Sequence, residues 1–132
     1  MITYCVAVVT KNRPKILFKC LSNIFNQDLM PNQIIVVDAS ENDESKKLIR
    51  KSFPCIDYFK LKLDSGSQPR LRNLAIKNCN TDILAFVDDD GFAKKKWLKK
   101  LDATYKKNPN INGIDKKMDE FKPRKFSQKI HK

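Results

Sequence analysis

Phe86-Val87-Asp88-Asp89-Asp90-Gly91 is the stretch on which the reading of this chain turns. The apolar run Ile83 to Val87 feeds directly into three carboxylates and then a glycine. The run has the length of a fully buried strand, and the glycine marks where the chain turns. Three adjacent acids repel one another, so gathering them is costly unless a cation or strong donors compensate. In extended chain, Asp88 and Asp90 point one way and Asp89 the other. Two oxygen-rich groups at a strand end suit Mg2+ or Mn2+, and such an ion suits a diphosphate. An acidic triplet in isolation is more often a solvated turn than a site. The chain around it has to decide between the two.

Upstream, Cys5 to Val9 is a continuous apolar run with β-branched valines, read as a buried strand. Thr10-Lys11-Asn12-Arg13-Pro14 breaks it, with Asn12 expected to cap a helix and Pro14 to sit in its first turn. Ile16, Leu17, Cys20, Leu21, Ile24 and Phe25 then recur at helical spacing. Ile34 to Val37 is a second buried strand ending at Asp38, followed by the turn residues Ala39 to Asp43 and a short helix through Lys51 with Leu48 and Ile49 inward. Ile56 to Leu63 alternates imperfectly and reads as a third strand at a sheet edge. A loop from Asp64 to Pro69 leads to a helix over about Pro69 to Cys79, with Arg70, Arg72 and Asn73 in its first turn. After the acidic triplet, Trp97, Leu98, Leu101 and Tyr105 form a last helical face, read as core. Past Asp115 no periodicity is evident.

Strands alternating with helices imply right-handed crossovers and a three-layer α/β/α fold with a mostly parallel, Rossmann-like sheet. Such sheets bind ligands at the carboxyl ends of their strands. Three strands end there in polar residues: Thr10 to Arg13, Asp38 to Ser40, and Asp88 to Asp90. That convergence favours a nucleotide or sugar-nucleotide crevice over an inert surface.

Composition narrows the class. The 132 residues are 41% hydrophobic and suit one globular domain. No apolar run approaches the roughly 20 residues of a membrane-spanning helix. The amino end does not read as a signal peptide, because no basic region precedes its apolar run. Cys5, Cys20, Cys55 and Cys79 are widely spaced beside apolar runs, so reduced core thiols in a cytoplasmic protein are expected. The sole histidine is His131, which argues against chemistry needing a core histidine. Of the net charge of +12, residues 94–132 carry +10, from 13 Lys and one Arg against four acids. Such a segment attracts phosphates, although a solvated lysine-coated helix and frayed end would have the same composition.

The ordered pieces Val6-Ala7-Val8-Val9-Thr10-Lys11-Asn12-Arg13, Ile35-Val36-Val37-Asp38-Ala39-Ser40 with Asp43, Arg72-Asn73, and Phe86-Val87-Asp88-Asp89-Asp90 resemble the nucleotide-binding half of family 2 glycosyltransferases, which have the GT-A fold. The resemblance covers roughly Ile2 to Pro109. It implies a nucleotide-sugar donor, with uracil as the base, and a divalent Mn2+ or Mg2+. By the same resemblance Thr10, Asn12, Arg13, Asp38, Ser40, Arg72, Asp88 and Asp89 surround the nucleotide. Thr10 lines the base pocket, Asp38 bonds the base, Arg72 lies near the diphosphate and Asp88 approaches the ribose. Asp90, with Asp88, holds the metal. Each has a plainer role to set beside it: Asp38 as a turn cap, Arg72 as an exposed helix residue, Asn12 as a helix cap.

The family also has a second half carrying the acceptor site and a general base. No such carboxylate is identified here, since Asp119-Glu120 falls too early and in the wrong context. The expected division is therefore a donor-binding domain over 1–114 and a basic tail over 115–132, as in a truncated enzyme. The acceptor is expected to be a glycan or lipid-linked sugar of a cell-surface polysaccharide. The alternative is a catalytically incomplete nucleotide-binding module whose basic tail docks on an anionic inner membrane face or a partner. Nucleic acid ranks last as a partner, because the acids would repel a polyanion and no stacking aromatics accompany the lysines.

Overall fold

Residues Tyr4 to Val8 are buried without a break, so their strand needs a neighbour at each edge and a helix layer on each face. The computed structural model describes residues 1–62, 68–108, 113–117 and 120–124 and supplies both. The chain runs through β1 (Tyr4–Thr10), α1 (Pro14–Phe25), β2 (Gln33–Asp38), α2 (Glu44–Ser52), β3 (Asp57–Lys60), α3 (Gln68–Asn78), β4 (Ile83–Asp88), α4 (Trp97–Lys107), β5 (Gly113–Lys117) and β6 (Glu120–Arg124). The first four strands form one parallel sheet in the order β3-β2-β1-β4. Thr10 registers with Asp38, and Val9 with Asp88, so three strand ends arrive at one edge.

Side-chain alternation divides the apolar residues into two cores. Tyr4, Val6, Val8, Ile34, Val36, Ile83 and Val87 meet Leu17, Leu21 and Ile24 of α1, Ile49 of α2, and Trp97, Leu98, Leu101 and Tyr105 of α4. Cys5, Ala7, Ile35, Val37 and Leu84 meet Leu71 and Ala75 of α3, with Cys79 just beyond. Each fully buried leucine or isoleucine contributes about 1.5–3 kcal/mol. The crossovers through α1 and α2 step outward to β3. The crossover through α3 returns over the opposite face to place β4 on the far side of β1, as right-handed connections require. The three-layer α/β/α architecture is as the sequence implies.

Local differences have simple causes. Ile16, expected on the apolar face of α1, is 41% exposed, because the core-facing stripe is covered by Leu17, Cys20, Leu21 and Ile24. Leu48 is half-buried, and Ser45 takes the inward place beside Ile49. Cys5, Cys20 and Cys79 are buried free thiols, whereas Cys55 is exposed and is not a core residue. Of the expected Asp64–Pro69 loop, residues 64–67 lie outside the described residues, and Gln68 and Pro69 already belong to α3. β5 and β6 pair antiparallel, Gly113 opposite Arg124, where the sequence shows no periodicity. Strands reading GIDKK and EFKPR are short and mostly polar, too weak a pattern to announce a hairpin in the sequence. Among the described residues no helix is long and apolar enough to cross a membrane.

Candidate functional site

The sheet order reverses between β1 and β4, and in parallel sheets a crevice opens at the carboxyl edge where this happens. The two strand ends are joined there. Thr10, almost fully buried at the end of β1, donates from Oγ1 to Asp89 Oδ2 at 3.0 Å. Arg13 Nη1 donates to Asp89 Oδ1 at 3.3 Å and lies 3.8 Å from Asp90 Oδ2. The Gly91 N–H closes a tight turn onto the Asp88 carbonyl at 2.8 Å. A Cβ at Gly91 would meet that same oxygen at 3.0 Å, which explains the glycine. The turn also ends the strand alternation at Asp88. Instead of Asp88 and Asp90 facing one way and Asp89 the other, Asp89 bends back to β1 and converges with Asp90 on Arg13.

Asn12 adopts φ 54°, a left-handed backbone that asparagine tolerates well. It is not the expected helix cap. Arg13 occupies that place in α1 and makes no side-chain capping bond. Asn12 instead clips two loops together. Its N–H donates to Ser40 Oγ at 2.7 Å, and its Oδ1 accepts from the Glu41 N–H at 3.0 Å. The Ala39 N–H adds a bond to the Thr10 carbonyl at 2.9 Å.

Asp38 and Ser40 are fully buried beneath this clip. Asp38 Oδ1 accepts from the Ser40 N–H at 2.9 Å, and Oδ2 accepts from Tyr58 Oη at 2.6 Å. The Asp38 carboxylate thus underpins the edge from inside the protein and also serves the turn. Asp43 supports the same loop through Lys60 Nζ at 2.6 Å, and that ammonium bond holds its carboxyl below the usual range. On the other face, the exposed Arg72 guanidinium sits 4.8 Å from the Phe86 ring centroid. Phe86 and Asp88 share a strand face, so Arg72 is stationed on the Asp88 side of the sheet.

Two supporting residues escaped sequence reasoning. Tyr58 orients Asp38, and the only sequence signal is its place in the irregular alternation of β3. Gln27 is buried and ties the end of α1 to the segment after the acidic turn. Its Nε2 donates to the carbonyls of Asn23, Ala93 and Lys94, the last at 2.6 Å, while Oε1 accepts from the Leu98 N–H at 3.0 Å. A polar residue following the apolar face of α1 is too weak a signal to find it.

Asp88 and Asp90 are exposed carboxylates on one turn, hard oxygen donors of the type Mg2+ and Mn2+ prefer. Among the described residues no group of three acid, histidine or cysteine side chains is gathered to hold an ion alone. The donor set therefore fits an ion that takes its other ligands from phosphate and water. A depression of about 520 Å³ lies at the opposite edge, lined by residues such as Thr3, Asn32, Gln33 and Asn80. It borders the amino ends of the strands, away from every residue of the acidic turn.

The comparisons agree with this fold. TarS of Staphylococcus aureus, a poly(ribitol-phosphate) beta-N-acetylglucosaminyltransferase, is 27% identical over 103 residues, covering 75% of this chain and 18% of that protein. A Methanococcus voltae dolichyl N-acetyl-alpha-D-glucosaminyl phosphate 3-beta-D-2,3-diacetamido-2,3-dideoxy-beta-D-glucuronosyltransferase is 25% identical over 118 residues, 83% of this chain and 37% of that protein. The crystal structure of S. aureus TarS 1-349 in complex with UDP-GlcNAc superposes with a TM-score of 0.69 at 26% identity, covering 81% of this chain and 32% of that one. The chain thus spans less than two fifths of the length of each of these relatives. The family described as glycosyl transferase family 2 matches residues 5–131, which takes in both sheets and the whole carboxyl edge. On that match, and with the fold in agreement, the chain belongs to glycosyl transferase family 2.

Proposed function

We propose that this chain binds the donor of a glycosyl transfer, a uridine diphosphate sugar accompanied by Mn2+ or Mg2+. The observation that carries the reading is the junction of Thr10 and Arg13 with Asp89 where the sheet order reverses. It places cationic and acidic groups together at the edge where parallel sheets hold nucleotides. The UDP-GlcNAc complex of a relative at 26% identity supports the choice of donor.

Each residue then has a task. Thr10, Asn12 and Ser40 shape the loops around the base, and Asp38 holds those loops from below. Arg72, over Phe86, and Arg13 face the diphosphate. Asp88 lies toward the ribose and, with Asp90, would hold the ion. The ion, when bound, offsets the charge that builds on the departing diphosphate. The acceptor belongs to the same reading as a glycan or lipid-linked saccharide, the second in keeping with the dolichyl-linked sugar named for the Methanococcus relative. Buried free thiols at Cys5, Cys20 and Cys79 suit a cytoplasmic setting.

Calorimetric titration of UDP-GlcNAc with MnCl2 tests the reading. Binding is expected in the parent, and Asp90→Ala should remove its metal-dependent part. No heat of binding at millimolar donor, with or without the ion, would refute it.

A further inference from the structure

Asp90 has a protein cation beside it before any ligand arrives. Arg13 Nη1 sits between two carboxylates, 3.3 Å from Asp89 and 3.8 Å from Asp90. The two acids differ in how they are held. Asp89 is only 12% exposed and has Thr10 as a second donor, whereas Asp90 is 65% exposed. The backbone beneath Arg13 is fixed, because Asn12 is bonded to Ser40 and Glu41. The guanidinium itself is half exposed on a long, flexible stem.

We propose that Arg13 is a built-in counter-cation, tethered through Asp89, that competes with a divalent ion for Asp90 and turns to the donor diphosphate when the ion binds. This rests on the donor-binding reading. Three carboxylates and one guanidinium leave two negative charges at the turn, which a single divalent ion cancels. That ion would repel the guanidinium from the loosely held Asp90 but not from the deeper Asp89. A guanidinium carries five N–H donors in a rigid fork. One nitrogen on Asp89 therefore leaves others to pair with phosphate oxygens. Ion and diphosphate then favour each other's binding through Arg13, and the coupling is reciprocal.

The test titrates Mn2+ alone, read by the electron paramagnetic resonance of the free ion, into the parent and the R13Q, R13K and K11Q variants. R13Q should bind Mn2+ about two- to five-fold tighter, the range expected from releasing an exposed ion pair. R13K should stay close to the parent. K11Q removes the same charge from an exposed position two residues away and should change nothing. The gain in UDP affinity on adding Mn2+ should be smaller in R13Q than in the parent. Circular dichroism melts establish that each variant is folded. Equal Mn2+ affinity in parent and R13Q, or equal gains in R13Q and K11Q, would overturn the proposal and leave the donor reading intact. So would UDP-GlcNAc binding with no Mn2+ binding in any variant. A Mn2+ gain confined to R13Q, with no UDP-GlcNAc bound by any protein, would support the competition while refuting the donor reading.

Discussion

Tyr58 reaches across from β3 and donates a 2.6 Å hydrogen bond to Asp38 Oδ2 at the end of β2. Parallel register puts Tyr58 beside Val36, two residues before Asp38 on the same strand face. The bond therefore runs diagonally to the next inward position. Burial first, and then this bond to the carboxylate, pushes the Tyr58 phenol far above its usual value. A short edge strand thus sets the orientation of an acid under the donor edge.

Tyr58→Phe keeps the ring and removes only that donor. The buried Asp38 carboxylate then keeps the Ser40 N–H but loses a charge-assisted partner, which costs about 1.5–3 kcal/mol. Urea unfolding should show the loss, and UDP-GlcNAc affinity should drop with it. An unchanged unfolding midpoint would show that the bond contributes nothing net.

Asn12 allows its backbone and side-chain roles to be separated. Asn12→Gly keeps the left-handed φ of 54° but loses the bond to Glu41, whereas Asn12→Ala loses both advantages. The alanine variant should be less stable than the glycine variant by about 1 kcal/mol. Donor affinity should weaken in both, because the side-chain part of the tie between the loops of β1 and β2 is lost and only the backbone bonds to Ser40 and from Ala39 remain. Equal stability of the two variants would remove the backbone argument.

Gln27→Leu is close in size but leaves the Leu98 N–H and the Lys94 carbonyl without these bonds. The Lys94 carbonyl still accepts from the Trp97 N–H, so the buried Leu98 N–H is the group left without its partner, and a loss of about 1–3 kcal/mol is expected. The acidic turn lies only a few residues before this tie. Metal-dependent donor binding should weaken more than the loss of folded protein explains. Calorimetry on the folded fraction checks this.

Stability should fall at alkaline pH. Tyr4 and Tyr105 join Tyr58 in having raised phenol values, with burial the largest cause in each case. A raised value adds stability that is complete below the unfolded phenol value of about 10 and is lost as pH climbs above it. Urea midpoints taken on either side of that value should decline, with a shallower slope in Tyr58→Phe. At the acid end, burial tends to raise Asp102, but bonds from Lys106 and Tyr4 outweigh it and lower the carboxyl. Its contribution is present above the ordinary aspartate value of about 3.9 and disappears as pH falls below it.

The features legible in the sequence were those set by periodicity. Val6 to Val9, Ile34 to Val37 and Ile83 to Val87 announce buried strands, and Leu17, Cys20, Leu21 and Ile24 a helix face, because burial imposes those patterns. The polar ends of the strands could be placed at one edge for the same reason. Pairings between distant side chains could not. Nothing in the spacing says that Asn12 bonds Glu41 rather than capping α1, or that Asp89 turns toward Thr10. Turn geometry at Gly91 sets the second, and the left-handed backbone of Asn12 sets the first. Arg13 was legible as a polar residue near the nucleotide but not as the cation shared by Asp89 and Asp90.

The central position of β1 also governs how the chain can fold. Its residues feed both cores, and its two neighbours come from very different distances along the chain. Cys5 pairs with Gln33, but Tyr4 must wait for Ile83. Closing that long loop has an entropic cost before any pairing rewards it. Chains dominated by such remote contacts fold slowly. The first of these four strands in chain order is therefore among the last to be completed, and until β4 docks one edge of it stays open to pairing with other chains.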